Sequence, residues 1–139
     1  MRKTVFDPVR KQNVADTPEE GVRQWLIQKL SSELNYPLHL MCCEYPIDLN
    51  GRKYRADLVV FDKGAKIVLT AECKAPEVAI GNDTFRQILT YNVVLKAEYI
   101  LVTNGTDTFL AKVDISTGEY SFLNIIPNYN ELCGIKLLE

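Results

Sequence analysis

The 139-residue sequence is short of several things, and each shortage excludes a class of protein. It has no excess of positive charge: 16 Lys and Arg stand against 18 Asp and Glu, giving a formal net charge of −2. Tight, indiscriminate nucleic-acid binding leaves a basic footprint, so any contact with nucleic acid must come from a local patch or from partner domains. There is a single histidine, His39, and none of the four cysteines (Cys42, Cys43, Cys73 and Cys133) forms a CxxC pair. A structural zinc site needs four well-spaced ligands. No apolar run reaches the roughly 18 residues of a membrane span, and the first eight residues lack the apolar core of a secretion signal. The expected compartment is the cytoplasm, where the cysteines read as small apolar residues rather than a disulfide framework. Repeats and low-complexity segments are also missing.

What is present suits a globular protein: 47% of residues are hydrophobic and 24% charged. The length fits one domain over residues 1–139, with its core at about 16–123. Such a domain buries roughly two-thirds of its unfolded surface. Residues 1–15 read as an extended lead-in. Asp16-Thr17-Pro18-Glu19-Glu20 is a helix start, with a capping side chain, proline in the first turn and acids at the positive end of the dipole. Val22, Trp25, Leu26, Leu30 and Leu34 continue at helical spacing to Asn35-Tyr36-Pro37, and Trp25 is expected in the core. Strands are predicted over 38–45, extending past Pro46, and over 54–61 and 65–73, with Asn50-Gly51 as a hairpin turn. Asn82-Asp83 can cap a second helix over 84–95, with Phe85, Ile88, Leu89 and Val93 as its apolar stripe. Strands at 97–103, 108–113 and 120–123 follow. A helix joining two strands implies a βαβ element, hence an α/β (mixed α+β) fold with a central mixed sheet flanked by helices.

One constellation carries chemistry. Asp57 lies inside the strand Arg55-Ala56-Asp57-Leu58-Val59-Val60-Phe61. Glu72-Cys73-Lys74 ends the next one. Strand side chains alternate, so Glu72 and Lys74 share a face and Cys73 points away. A two-residue loop at 62–64 aligns Asp57 with Glu72, whereas a three-residue loop needs a bulge to do so. Charges on an apolar hairpin are costly unless paired or holding a metal. Two neighbouring carboxylates suit a hard divalent cation, and magnesium typically takes one or two of them. A lysine beside it can orient a water or stabilise charge on a phosphate. Glu-x-Lys alone is a weak motif; its weight comes from its place at the end of the most apolar strand.

Asp57 with Glu72-Cys73-Lys74 resembles the PD-(D/E)xK nuclease signature. Downstream, Arg86-Gln87-Ile88-Leu89-Thr90-Tyr91 resembles the Q-x-x-x-Y motif of the N-terminal nuclease domain of type I restriction enzyme R (HsdR) subunits, and Thr17 to Gln24 resembles that domain's acidic first helix. The likeness covers roughly residues 16–115. It implies a restriction-endonuclease-like core and a metal-dependent DNA endonuclease. Asp57, Glu72 and the Cys73 backbone carbonyl would hold magnesium, with manganese as a substitute, and Lys74 would position the attacking water. Glu20, or Glu19 if the helix starts one residue earlier, would orient a water or complete the metal shell. Gln87 and Tyr91 would contact DNA backbone or brace Lys74. Arg52, Lys53, Arg55 and Arg86 would meet phosphates. The implied partners are DNA and, beyond it, motor, specificity and methylation subunits, with no membrane. The residue before Asp57 is Ala56 rather than proline, and the helicase motor of R subunits is not in this sequence.

Bland readings stand beside these. Glu20 occupies the capping-box position behind Thr17. Gln87 and Tyr91 fit the polar edge of an amphipathic helix, and the Arg52/Lys53/Arg55 group fits a solvated hairpin tip. His39 reads as structural, and Cys73 as packing rather than a nucleophile, with no histidine to activate it. A non-catalytic nucleic-acid-binding or assembly module with the same fold, and a junction-resolving or RNA-cutting relative, remain as alternative functions.

Overall fold

Thr17 begins the first helix as the sequence predicts: its hydroxyl accepts from the Glu20 amide at 3.1 Å, and Pro18 occupies the first turn. In the computed structural model, which describes residues 3–134, helix α1 spans Pro18–Gln28 and continues as a π-helical stretch, Lys29–Glu33. Asn35, at φ 62°, turns the chain out of it. The expected lead-in is instead an antiparallel hairpin of β1 (Thr4–Asp7) and β2 (Gln12–Ala15). After a 3₁₀ turn at Leu38–Leu40, β3 (Met41–Leu49) and β4 (Arg52–Phe61) form the predicted hairpin. Asn50 and Gly51 both take positive φ there, 52° and 82°, the geometry that suits the right-handed twist of the strands.

Strand β5 (Ile67–Cys73) follows, then α2 (Asn82–Leu95), β6 (Tyr99–Thr103), β7 (Thr108–Val113), β8 (Tyr120–Leu123) and a short α3 (Tyr129–Leu132). Strands β3 to β8 form one six-stranded sheet in sequence order. All neighbours are antiparallel except β5 and β6, which run parallel and are joined across the sheet by α2. The N-cap of α2 is Gly81 with no side-chain cap; Asn82 and Asp83 belong to its first turn. Its far end is closed by Lys96 at φ 56° and by Asn92, whose side chain bonds both the amide and the carbonyl of Ala97.

Each sheet face carries its own apolar cluster. Val22, Leu26 and Leu30 pack with Leu58, Val60, Leu69 and Leu101 on one side; Phe85, Ile88 and Tyr91 pack with Val59, Ile100 and Val102 on the other. The alternation along β3 and β4 reverses midway. Met41, Cys43, Leu58 and Val60 face the α1 side, whereas Ile47 and Ala56 face the α2 side. The reversal falls where Glu44, at φ 53°, and Asp57 are skipped between the pairs Cys43↔Leu58 and Tyr45↔Ala56.

Several expectations are corrected here. Trp25 is 39% exposed and Val93 67%, because each lies at the margin of its helix's buried stripe. His39 sits exposed in the 3₁₀ turn rather than in a strand. The core reaches beyond 16–123: Asp7, Tyr129 and Leu132 are buried. Tyr129 is held by its hydroxyl to the Phe61 carbonyl at 2.9 Å and by edge contact with Tyr36. The buried Asn92 side chain ties the end of α2 to the segment that enters β6, so Asn92→Ala should destabilise the fold by about 2–4 kcal/mol by leaving the Ala97 backbone groups unpaired. Urea denaturation checks this, with an unchanged m-value expected.

Candidate functional site

Asp57 and Glu72 meet because the sheet corrects its own register. The connection from Asp62 to Lys66 is longer than two residues, and Val68 forms a bulge: Phe61 pairs with Ile67, but Val60 pairs with Leu69. The ladder then runs Val59↔Thr70 and Leu58↔Ala71, and the next step sets Asp57 opposite Glu72. There the ladder ends. The Cys73 amide donates to Asp57 Oδ2 at 2.7 Å instead of to the β4 backbone. A strand residue's N–H and C=O leave from the same edge, so the Cys73 carbonyl faces the same opening.

The two carboxyls lie mostly out of water and beside each other. Burial raises the Asp57 carboxyl above its ordinary range. Burial, and then repulsion from Asp57, push Glu72 up to about 7. The Tyr91 hydroxyl donates to Glu72 Oε2 at 2.7 Å, which fixes the side chain. Burial and the neighbouring carboxylate hold that phenol well above its usual pKa, so it acts as a donor. Lys74 Nζ stands 3.8 Å from Glu72 Oε1, the side chain still reached by solvent. Gln87 lies one turn before Tyr91 on α2 and is exposed. Burial pushes the Cys73 thiol far up and that of Cys43 to about 12, so both are packing groups.

The acids of α1 divide differently from the expectation. Glu20 is buried, and its carboxylate is taken by Arg10 at 2.6 Å, Gln24 at 3.0 Å and Arg23 at 3.2 Å. It therefore neither completes the capping box through its side chain nor has an oxygen free for the carboxyl pair. Glu19 is exposed, and its charge adds to the raising of the Asp57 carboxyl. The cations at the hairpin tip are exposed as well. Lys53 pairs with Asp48, Arg52 lies over the Tyr54 ring, and Arg55 is 3.7 Å from Glu44. Arg86 is exposed on the first half of α2 and has no ion pair among the described residues.

Sequence reasoning missed Arg23. It is buried, donates from Nη1 to the Asp57 carbonyl at 3.2 Å and lies 3.7 Å from Glu44. Its Nε approaches Glu20 too obliquely for a hydrogen bond and is left buried without one. A trace was available: position 23 lies one residue after the buried Val22, on the inner side of α1. Asp7 and Arg10, also missed, carry no such periodic signal.

Among the described residues no group of three or more His, Cys, Asp or Glu side chains is placed to hold a metal ion. The donor set is therefore two carboxylates and the Cys73 carbonyl. That suits magnesium, which is held by one or two carboxylates and keeps several waters, and does not suit a closed structural zinc site.

The raised Glu72 has a measurable consequence. An unfolded glutamate loses its proton near pH 4.5, and the folded one near 7. Between those values the native chain holds more protons than the unfolded chain, so stability of the metal-free protein falls as pH rises through that window. The loss is on the order of 3 kcal/mol. Glu72→Gln keeps an acceptor for Tyr91 and removes the charge, so its stability should fall less than the wild type's from pH 4.5 to 7. Denaturant titrations in chelator, comparing the two proteins, test this.

Among the described residues no helix is long and apolar enough to cross a membrane. The fold resembles two solved structures. One is a fragment described as an HsdR subunit of a type I restriction enzyme from Vibrio vulnificus YJ016, with a TM-score of 0.63 and 19% identity over 86% of this chain. The chain spans about a quarter of that fragment, 25% of its length. The other is a DUF820 protein described as a nuclease, from Anabaena variabilis ATCC 29413, with a TM-score of 0.52 and 9% identity, covering 91% of this chain and 83% of that one. No curated relative matches the sequence. Residues 18–127 match the family described as type I restriction enzyme R protein N terminus. That span runs from the first residue of α1 through all six strands of the sheet, with Asp57, Glu72, Lys74, Gln87 and Tyr91 inside it, and the chain belongs to this family.

Proposed function

We propose that the chain is a magnesium-dependent DNA endonuclease domain that hydrolyses phosphodiester bonds as part of a type I restriction system. The observation that carries this is the Asp57 carboxyl, from the middle of β4, lying beside that of Glu72 near the end of β5, with Lys74 3.8 Å from Glu72 and, among the described residues, no arginine paired with either carboxylate. Carboxylates meant only for stability are paired off; this pair has one lysine at 3.8 Å, and a divalent cation would relieve the repulsion that remains.

Asp57, Glu72 and the Cys73 carbonyl hold magnesium, with manganese as a substitute. The ion supplies Lewis acidity and a water of lowered pKa. Tyr91 holds Glu72 in one orientation, and the Cys73 amide does the same for Asp57. Lys74 orients the attacking water and stabilises charge building on the phosphate. Glu19, rather than Glu20, is the acid of α1 that reaches toward that water. Arg86 and Gln87 on the exposed face of α2, with Arg52, Lys53 and Arg55 at the hairpin tip, meet the DNA backbone. With a net charge of −2, the domain does not select its DNA alone. Motor, specificity and methylation subunits supply delivery and site choice.

Plasmid nicking by the wild type and Lys74→Ala, with magnesium and with chelator, tests the activity. Cleavage should need magnesium and fall at least about a hundredfold in Lys74→Ala. Magnesium should also raise the wild-type unfolding midpoint by several degrees through mass action and leave that of Asp57→Asn unmoved. A wild type whose midpoint ignores magnesium would overturn the metal site and favour the non-catalytic module.

A further inference from the structure

Asp7 is the most deeply buried acid among the described residues, with no solvent exposure, and it lies before the span shared with the family. Its carboxylate accepts from the Val9 amide and from Arg10, and the Cys43 thiol approaches it at 3.5 Å. Burial works against its charge, but the Arg10 bond prevails and holds the carboxyl below its usual range. Arg10 then reaches from the hairpin turn to Glu20 of α1 at 2.6 Å. Glu20 lies 3.2 Å from Arg23 Nε, and Arg23 Nη1 donates to the Asp57 carbonyl at 3.2 Å. These contacts are continuous from β1 to the metal-site strand. They arrive at the step where β3 and β4 skip a pair and reverse their faces, so Arg23 holds Asp57 where the ladder does not.

We propose that the β1–β2 hairpin is a positioning part of the site: Asp7, Arg10, Glu20 and Arg23 form a buried chain of alternating charge that fixes Asp57 for its cation. The inference rests on the metal-site reading above. It assigns the hairpin a task that packing does not require, since Phe6 on the same strand is 58% exposed and adds little to the core.

Two variants of the full chain test it. Arg23→Met removes the donor to Asp57, leaving Glu20 to Arg10 and Gln24. Asp7→Asn combined with Arg10→Met breaks the chain at its far end, leaving Glu20 to Gln24 and to the Arg23 charge 3.2 Å away. The first readout needs no metal. The Cys73 amide is bound to Asp57 Oδ2 and so reports that carboxyl's position. Its hydrogen exchange should quicken about tenfold or more in both variants, with the central β6 amides unchanged. The second readout is calorimetric magnesium affinity, which should weaken about tenfold in both. Unchanged Cys73 exchange in both variants, or an equal loss of protection across the whole sheet, would overturn the proposal. A wild type that binds no magnesium would defeat the nuclease reading instead, and the Cys73 comparison would still decide the role of the hairpin.

Discussion

Two carboxyl groups held side by side, away from water, are the constraint around which this fold is arranged. A sheet left to itself separates such groups, because each pays for desolvation and each repels the other. Here every neighbour works against separation. The Cys73 amide gives up a ladder bond to hold Asp57, Tyr91 holds Glu72, and Arg23 grips the backbone at Asp57. These donors come from three elements, β5, α2 and α1, so the site is where the two sides of the sheet are coupled. Burial raises both carboxyls, and Glu72 releases its proton only near pH 7, a strain that a cation at the pair would relieve.

The irregularities of the sheet serve the same end. The Val68 bulge shifts β5 by one residue, without which Ala71, not Glu72, would face Asp57. The reversal at Glu44 and Asp57 turns the outer half of the hairpin toward α2, where Tyr54 lies against Tyr91. The parallel step from β5 to β6 requires a crossover, and the crossover helix is the one that delivers Tyr91. Bulge, reversal and crossover are each local costs to regular pairing. They gather within a few residues of the carboxyls, and the far strands β6 to β8 pair without interruption.

Much of this was legible in the residues, and the boundary of legibility is physical. Period-2 and helical patterns record burial on one face of one element, so α1, α2 and the six strands could be read, and with them the shared face of Glu72 and Lys74. Gln87 and Tyr91 could be put on one helix face by spacing alone, but only Tyr91 is turned inward. Burial depends on what packs opposite, which is why Trp25 and Val93 emerged at the margins of stripes that looked apolar. The first hairpin was illegible because four-residue strands carry too little alternation, and its one buried side chain, Asp7, is a charge. α3 did leave a mark, the Asn128 and Glu131 capping box, in a helix of only four residues. The role of Glu20 could not be read at all: its partners Arg10 and Arg23 lie on different elements, and a capping position looks the same whichever way the carboxylate turns.

Charge balance sets the carboxyl pair apart from the acids that surround it. Around the site the charges alternate: Asp7, Arg10, Glu20, Arg23, Glu44 and Arg55 follow one another, each within ion-pairing reach of the next. Arginine is the residue that satisfies buried carboxylates, through a planar fork that stays charged. Every acid in that chain has one. Asp57 and Glu72 have instead an amide, a phenol and a single lysine at 3.8 Å. Neutral donors stabilise a carboxylate without cancelling its field, and a lysine at that distance cancels only part of it. The pair is therefore compensated less fully than the acids of the chain, with Lys74 its near cation. A site intended only to stabilise the hairpin would show the opposite distribution, with the arginine on the pair and the lysine outside.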